Sequence, residues 1–198
     1  AAAVAALRVM TRSEEYAQVV APLVGDEDCY VRINAAETLC AWGEKAVSLV
    51  DVLGKYLSDA NCGVVAAAAT AIAGMGSAAA SPHVALLEAA LASEDEDKST
   101  HMLTAAGVLP KVSAQLRKPA CAAAAALATL GSTSAPKLVD RLSSKDWEIR
   151  AAAVNALSKL GADSTRFELQ IVEMLKDTSP VVVASACQAL GEMAASLG

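Results

Sequence analysis

Aromatic side chains are nearly missing from this chain: Phe, Trp and Tyr together make up 3% of its 198 residues, although 55% of them are hydrophobic. A core of that composition cannot close around one bulky centre, and it points to helices that approach each other through small side chains. Alternating runs of Val, Ile and Thr are also missing, while alanine, the best helix former, supplies much of the apolar fraction. An all-α protein is expected.

Further absences narrow the function. The five cysteines, Cys29, Cys40, Cys62, Cys121 and Cys187, are odd in number and contain no Cys-x-x-Cys pair. They signal neither a disulfide framework nor a zinc knuckle, and read as small buried hydrophobes in a reducing, intracellular and cytoplasmic setting. Of the two histidines, His83 and His101, the second follows the acidic run 93–98. A metal site of His101 with Glu94, Asp95 or Asp97 can be drawn there, but a solvated acidic loop is the simpler reading. No Ser-His-Asp ordering, glycine-rich phosphate loop or paired carboxylates stand in the surroundings such chemistry needs. No catalytic residue, cofactor or metal is therefore assigned. Basic residues are outnumbered, 16 against 22 with a formal charge of -6, which argues against nucleic acid as a partner. Residues 60–87 contain no Asp, Glu, Lys or Arg, a length that could span a bilayer, yet Gly74, Gly76, Ser77, Ser81 and Pro82 interrupt them where a turn is due. Neither a spanning helix nor a secretory signal is expected.

What the chain does contain is a repeat. Residues 146–161 run from a capping Asp146 to Gly161, with Ile149, Ala153, Leu157 and Leu160 at the fourth, eighth, twelfth and fifteenth places, one face of a helix. The same register falls on 28–43 (Val31, Ala35, Leu39, Trp42), 61–76 (Val64, Ala68, Ile72, Met75) and 179–194 (Val182, Ala186, Leu190, Met193). The starts at 28 and 61, and again at 146 and 179, are 33 residues apart, a period of helix-pair solenoids. Ahead of each copy lies a shorter apolar segment, 19–26, 47–59, 138–144 and 169–177, that supplies the antiparallel first helix.

This pattern resembles the HEAT repeat family, close to armadillo repeats. In that family an aspartate ends the first helix and a Val-Arg pair begins the second six residues later. Asp26 with Val31-Arg32 fits; Asp59 leads to Val64-Val65, Ser144 to Ile149-Arg150 and Asp177 to Val182-Val183. The resemblance implies an inter-repeat ladder with Arg32–Asp59 and Arg150–Asp177 as candidate rungs, left incomplete by the departures. The expected fold is an α-α superhelix, a right-handed solenoid of about six HEAT-like helix pairs.

Along the chain, Pro22 should shorten the first helix of its pair. The repeat over about 81–118 is irregular, with a first helix from Pro82, a short helix at 99–106 and another opened by Pro110; Pro119 then starts an alanine-rich second helix. Glycine stops at 76, 107, 131 and 161 leave intervals of 31, 24 and 30, so one repeat is shortened. The chain starts inside what reads as a second helix and shows no polar capping repeat, so a single solenoid domain over 1–198, cut from a longer array, is expected.

In the family the second helices line the concave side. The third, seventh, tenth and fourteenth places of each copy form a stripe away from the buried face, and the candidate partner-binding residues on it are Tyr30, Asn34, Glu37, Thr70, Glu148, Asn155, Lys159, Ser185, Gln188 and Glu192. The small residues between them would admit a helix or extended peptide, the amides could bond its main chain, and Tyr30 is the expected exposed anchor. The acidic balance favours a partner segment with basic residues. The resemblance thus implies a non-catalytic scaffold or adaptor, in the manner of nuclear-transport receptors, phosphatase scaffold subunits or microtubule-associated arrays. The alternative is a cofactor-handling protein similar to the lyases that attach bilin pigments, which share alanine-rich short repeats.

Overall fold

Three of the second helices begin where a short polar side chain accepts the first free backbone N–H groups. Asp28 Oδ1 accepts Tyr30 N at 2.7 Å, Asn61 Oδ1 accepts Gly63 N at 2.9 Å, and Asp146 Oδ1 accepts Glu148 N at 2.9 Å. In the computed structural model, whose described residues are 13–92 and 118–197, each of these three caps starts its own helix. Among the described residues there is no strand.

The chain divides into two compact units between Ala126 and Leu127. In the first, α1 (Ser13–Val20) passes into the 3-10 turn Ala21–Gly25, with Pro22 at its start, so the α-helix is cut short where the missing N–H falls. α2 (Cys29–Trp42) ends at Gly43, whose φ of 55° favours glycine. The 3-10 turn Gly43–Leu49, α3 (Val50–Lys55) and the turn Tyr56–Ser58 form the next first helix, and α4 (Cys62–Gly74) the next second one. After Gly76 come α5 (Ser77–Ala80), the turn Ser81–His83 and α6 (Val84–Ala92). That first helix begins at Ser77 rather than at Pro82, which sits inside the 3-10 turn. α7 (Pro119–Ala128) runs across the division. The second unit holds α8 (Ala135–Arg141), α9 (Trp147–Ser158), the 3-10 turn Gly161–Phe167, α10 (Glu168–Glu173), the turn Met174–Lys176 and α11 (Pro180–Leu197). The expected helix at 99–106, the stop at Gly107, the helix opened by Pro110, the acidic run 93–98 and His101 lie outside the described residues.

The register read from sequence is the buried one. Of its sixteen positions only Val31 and Leu190 are half-exposed; the rest, Leu39, Ile72, Leu157 and Val182 among them, are buried. Within each unit the second helices pack on one another, α2 on α4 and α9 on α11. They run parallel. Contacts between them join like ends: Cys40 Sγ lies 3.6 Å from Thr70 O at the C-terminal ends of α2 and α4, and Ser158 Oγ lies 3.4 Å from Glu192 Oε2 at those of α9 and α11. Alanine at most of the contacts permits this closeness, since side chains set the separation of packed helices. No described helix is long and apolar enough to cross a membrane.

Candidate functional site

The N-terminal ends of the second helices are joined by two arginines with the same local anchor. Arg32 Nη1 donates to the carbonyls of Asp26 (2.8 Å) and Glu27 (3.0 Å), and Arg150 Nη1 donates to those of Ser144 (2.8 Å) and Lys145 (3.1 Å). Each guanidinium therefore ties down the turn that precedes its own helix. Its other edge crosses to the next pair. Arg150 Nε and Nη2 donate to the two oxygens of Asp177 at 2.7 and 2.8 Å. Arg32 Nη2 donates to Asp59 Oδ1 at 3.1 Å, while its Nε stands 3.1 Å from Oδ2 without hydrogen-bond alignment.

Both carboxylates also accept the backbone N–H two residues on, Asn61 N at 2.8 Å and Ser179 N at 2.7 Å. Asp26 and Ser144 do the same in their turns, so the serine keeps the turn-closing role without the charge. The two-pronged bond from Arg150 holds the Asp177 carboxyl below its ordinary value, against an opposing push from burial; the Arg150 guanidinium is raised by the same bond. Val65 and Val183 stand where an arginine would make a further rung.

The candidate partner stripe is less open than the sequence suggested. Asn34 is buried and its Nδ2 donates to Tyr30 O at 2.7 Å, so one of its two amide N–H groups is already used within the helix. Tyr30 is half-buried, not an exposed anchor, and Gly63 and Ala67 are buried. Along α4 the stripe lies beside the preceding second helix: a Cβ on Gly74, at its fourteenth place, would lie 3.4 Å from Cys40 Sγ on α2. The tenth and fourteenth places remain accessible. Glu37, Thr70 and Asn155 are half-exposed, as are Glu148 at the third place and Ser185 at the seventh, and Lys159, Gln188 and Glu192 are exposed. Thr70 Oγ1 donates to Ala66 O at 2.8 Å within its helix. Glu192 is organised from two sides, by Gln188 Nε2 at 2.8 Å and by Ser158 Oγ at 3.4 Å from the neighbouring helix.

Sequence reasoning passed over Trp147 and, though it placed Val181 on the stripe, left it out of the candidate residues. Trp147, directly after the Asp146 cap, is the exposed aromatic, and Val181 at the third place of α11 is also exposed. The signal for both was a large apolar residue in the first turn, outside the four buried places of the register. Among the described residues no group of three or more His, Cys, Asp or Glu could hold a metal ion.

Parallel second helices, each preceded by a short antiparallel first helix and tied at its turn, define the class of an α-α solenoid. The HEAT repeats family matches this sequence over residues 16–106 and 109–191, and the chain belongs to it. No curated protein matches. Among solved structures an engineered protein is similar, with a TM-score of 0.61 at 20% identity over 98% of this chain and 88% of that one. A designed armadillo repeat protein in complex with the peptide (KR)4 is similar too, with a TM-score of 0.59 at 14% identity over 96% of this chain and 90% of that one. At these identities the likeness speaks to the fold.

Proposed function

We propose that the protein is a non-catalytic scaffold whose second helices hold a partner segment carrying basic residues. The observation that carries this reading is Glu192: an exposed carboxylate kept in place by Gln188 and Ser158, and so ready to receive a cation without first being ordered. Glu37 on α2 and Glu148 on α9 offer further half-exposed carboxylates, and Trp147 and Val181 add apolar contact at the other end of α9 and α11. A designed relative by fold takes a Lys-Arg peptide, which supports a basic segment as the class of partner. The residues bet on are Glu37, Glu148, Asn155, Lys159, Ser185, Gln188 and Glu192, with Tyr30, Asn34 and Thr70 as their supports.

The test is fluorescence anisotropy of a labelled alternating Lys-Arg octapeptide with the whole chain at physiological salt. Binding should weaken about tenfold when Glu148 and Glu192 are both changed to lysine, a loss of roughly 1.4 kcal/mol. Affinity that ignores this reversal would sink the assignment. An absorption band that develops when bilin is added to the protein would instead favour the pigment-lyase alternative.

A further inference from the structure

The partner stripe carries one charge of the wrong sign for a basic segment. Across the four copies of the register its charged residues are Glu37, Glu148, Glu192 and a single cation, Lys159. A run of uniformly basic residues is attracted by the first three and repelled by the fourth. Lys159 is exposed, and among the described residues its side chain has no hydrogen-bond or ion-pair partner. Glu192, at the same place of the next helix, does not neutralise it. That carboxylate is held by other groups: Gln188 Nε2 donates to its Oε1 at 2.8 Å, and Ser158 Oγ lies 3.4 Å from its Oε2. The two charges belong to one seam of the second unit. Ser158, the residue just before Lys159, touches Glu192, and α9 and α11 are parallel and packed, so equal places on them stand roughly 8–10 Å apart. Side chains two residues apart on one face of an extended segment start about 7 Å apart and cover the remainder with their own length.

Resting on the reading of a partner segment held by the second helices, we propose that the α9–α11 seam selects a segment with an acidic and a basic residue two positions apart. The acid lies against Lys159 and the base against Glu192. The flexible ammonium can follow the acid, while the carboxylate is already ordered by its two donors. Lys159 is thereby a specificity-determining residue: it disfavours an unbroken basic run and favours a run that one acid interrupts. A lysine at the C-terminal end of α9 also suits the helix dipole, but that role concerns the stability of the helix and is indifferent to what is bound.

Fluorescence anisotropy of the full chain with two labelled octapeptides of equal net charge tests this. One is Lys-Arg-Lys-Glu-Lys-Arg-Lys-Arg, and the other is the alternating Lys-Arg octapeptide with two lysines replaced by glutamine. In the first, an arginine stands two positions from the glutamate on either side, so the direction in which the segment lies does not matter. The parent chain should prefer the glutamate peptide about threefold, the scale of one exposed ion pair. Lys159→Gln should remove the preference and Lys159→Glu should invert it, with the far-ultraviolet circular dichroism unchanged. Equal affinity of the parent chain for the two peptides overturns the selectivity, and leaves the scaffold reading standing if the all-basic octapeptide still binds. A preference that Lys159→Gln does not alter overturns it as well, since another residue would then read the acid. A chain that binds none of the three peptides overturns both readings.

Discussion

Arg150 and Asp177 meet through two aligned hydrogen bonds of 2.7 and 2.8 Å, whereas Arg32 reaches Asp59 through one of 3.1 Å and a second contact out of alignment. Nothing on the near side of the two arginines accounts for this. Both hold the carbonyls of their own turn with almost the same distances, 2.8 and 3.0 Å for Arg32 against 2.8 and 3.1 Å for Arg150. What differs is the crossing. The rung therefore reports how closely one helix pair follows the next, and in the second unit the two turns are tied more tightly than in the first. A side chain that looks interchangeable in sequence thus has one constant task, closing its own turn, and one variable task, setting the seam.

The comparison breaks most directly at the aspartates. Asp177→Ala leaves a guanidinium 12% exposed without its partner and removes the acceptor of Ser179 N. A loss of about 3 kcal/mol is expected, and the weaker Asp59 rung should cost about 2 kcal/mol in the same substitution. Hydrogen exchange resolved by peptide locates each loss: protection should fall in α9 to α11 for the first variant and in α2 to α4 for the second. Equal losses would mean that the alignment seen in the structure carries no energy.

Glycines separate the seams in another way. A Cβ on Gly54 would stand 2.2 Å from His83 Cε1, against a ring that is itself mostly buried, whereas a Cβ on Gly25 would meet the far end of Tyr56, its hydroxyl, at 2.6 Å. The ring has to be displaced as a body, and the phenol can swing. Gly54→Ala should cost about 2 kcal/mol in denaturant unfolding and Gly25→Ala well under 1 kcal/mol.

Acid sharpens the contrast between the rungs. Because Asp177 is held below its unfolded value, chiefly by the bond from Arg150, its contribution is fully present above the ordinary aspartate range. That contribution is lost as the pH falls through the ordinary value and on to the depressed folded one. Unfolding free energy measured downward from pH 6 should therefore decline less steeply in Asp177→Ala than in the parent chain. A slope unaffected by the substitution would show that the carboxyl is not held low.

Much of this architecture was legible because its causes are local. Caps at Asp28, Asn61 and Asp146, glycine stops at Gly43 and Gly76 and the apolar register all act within one helix, and a period of 33 residues multiplies the signal. The rungs were legible only through family resemblance, since nothing in the spacing of Arg150 says which carboxylate it will reach. The open surface was legible least. Whether Asn34, Ala67 or Tyr30 faces water depends on packing between helices, which the residues of one helix do not announce, and Asn34 turns its amide back to Tyr30 O within α2. The first helix at Ser77 was missed for a simpler reason. Pro82 is a strong start signal, but here it sits in a 3-10 turn that joins two short helical segments.

The smallest predicted effects concern the caps and separate geometry from charge. Asp146 accepts Glu148 N and also lies near enough to Arg150 to favour its charged form, so it serves both its own helix and the rung. Asp146→Asn keeps the cap and removes the charge, and should cost a few tenths of a kcal/mol, roughly what a screened charge near a partly buried guanidinium is worth. Asp146→Ala loses both, about 1 kcal/mol in total. At the equivalent place in the first unit Asn61 is already neutral and accepts from both Gly63 N and Val64 N, at 2.9 and 3.3 Å. Asn61→Asp should therefore have little effect on the cap itself. If Asp146→Asn instead cost as much as Asp146→Ala, the charge beside Arg150 would be the main function of that residue, and the tighter seam of the second unit would begin one turn before the rung.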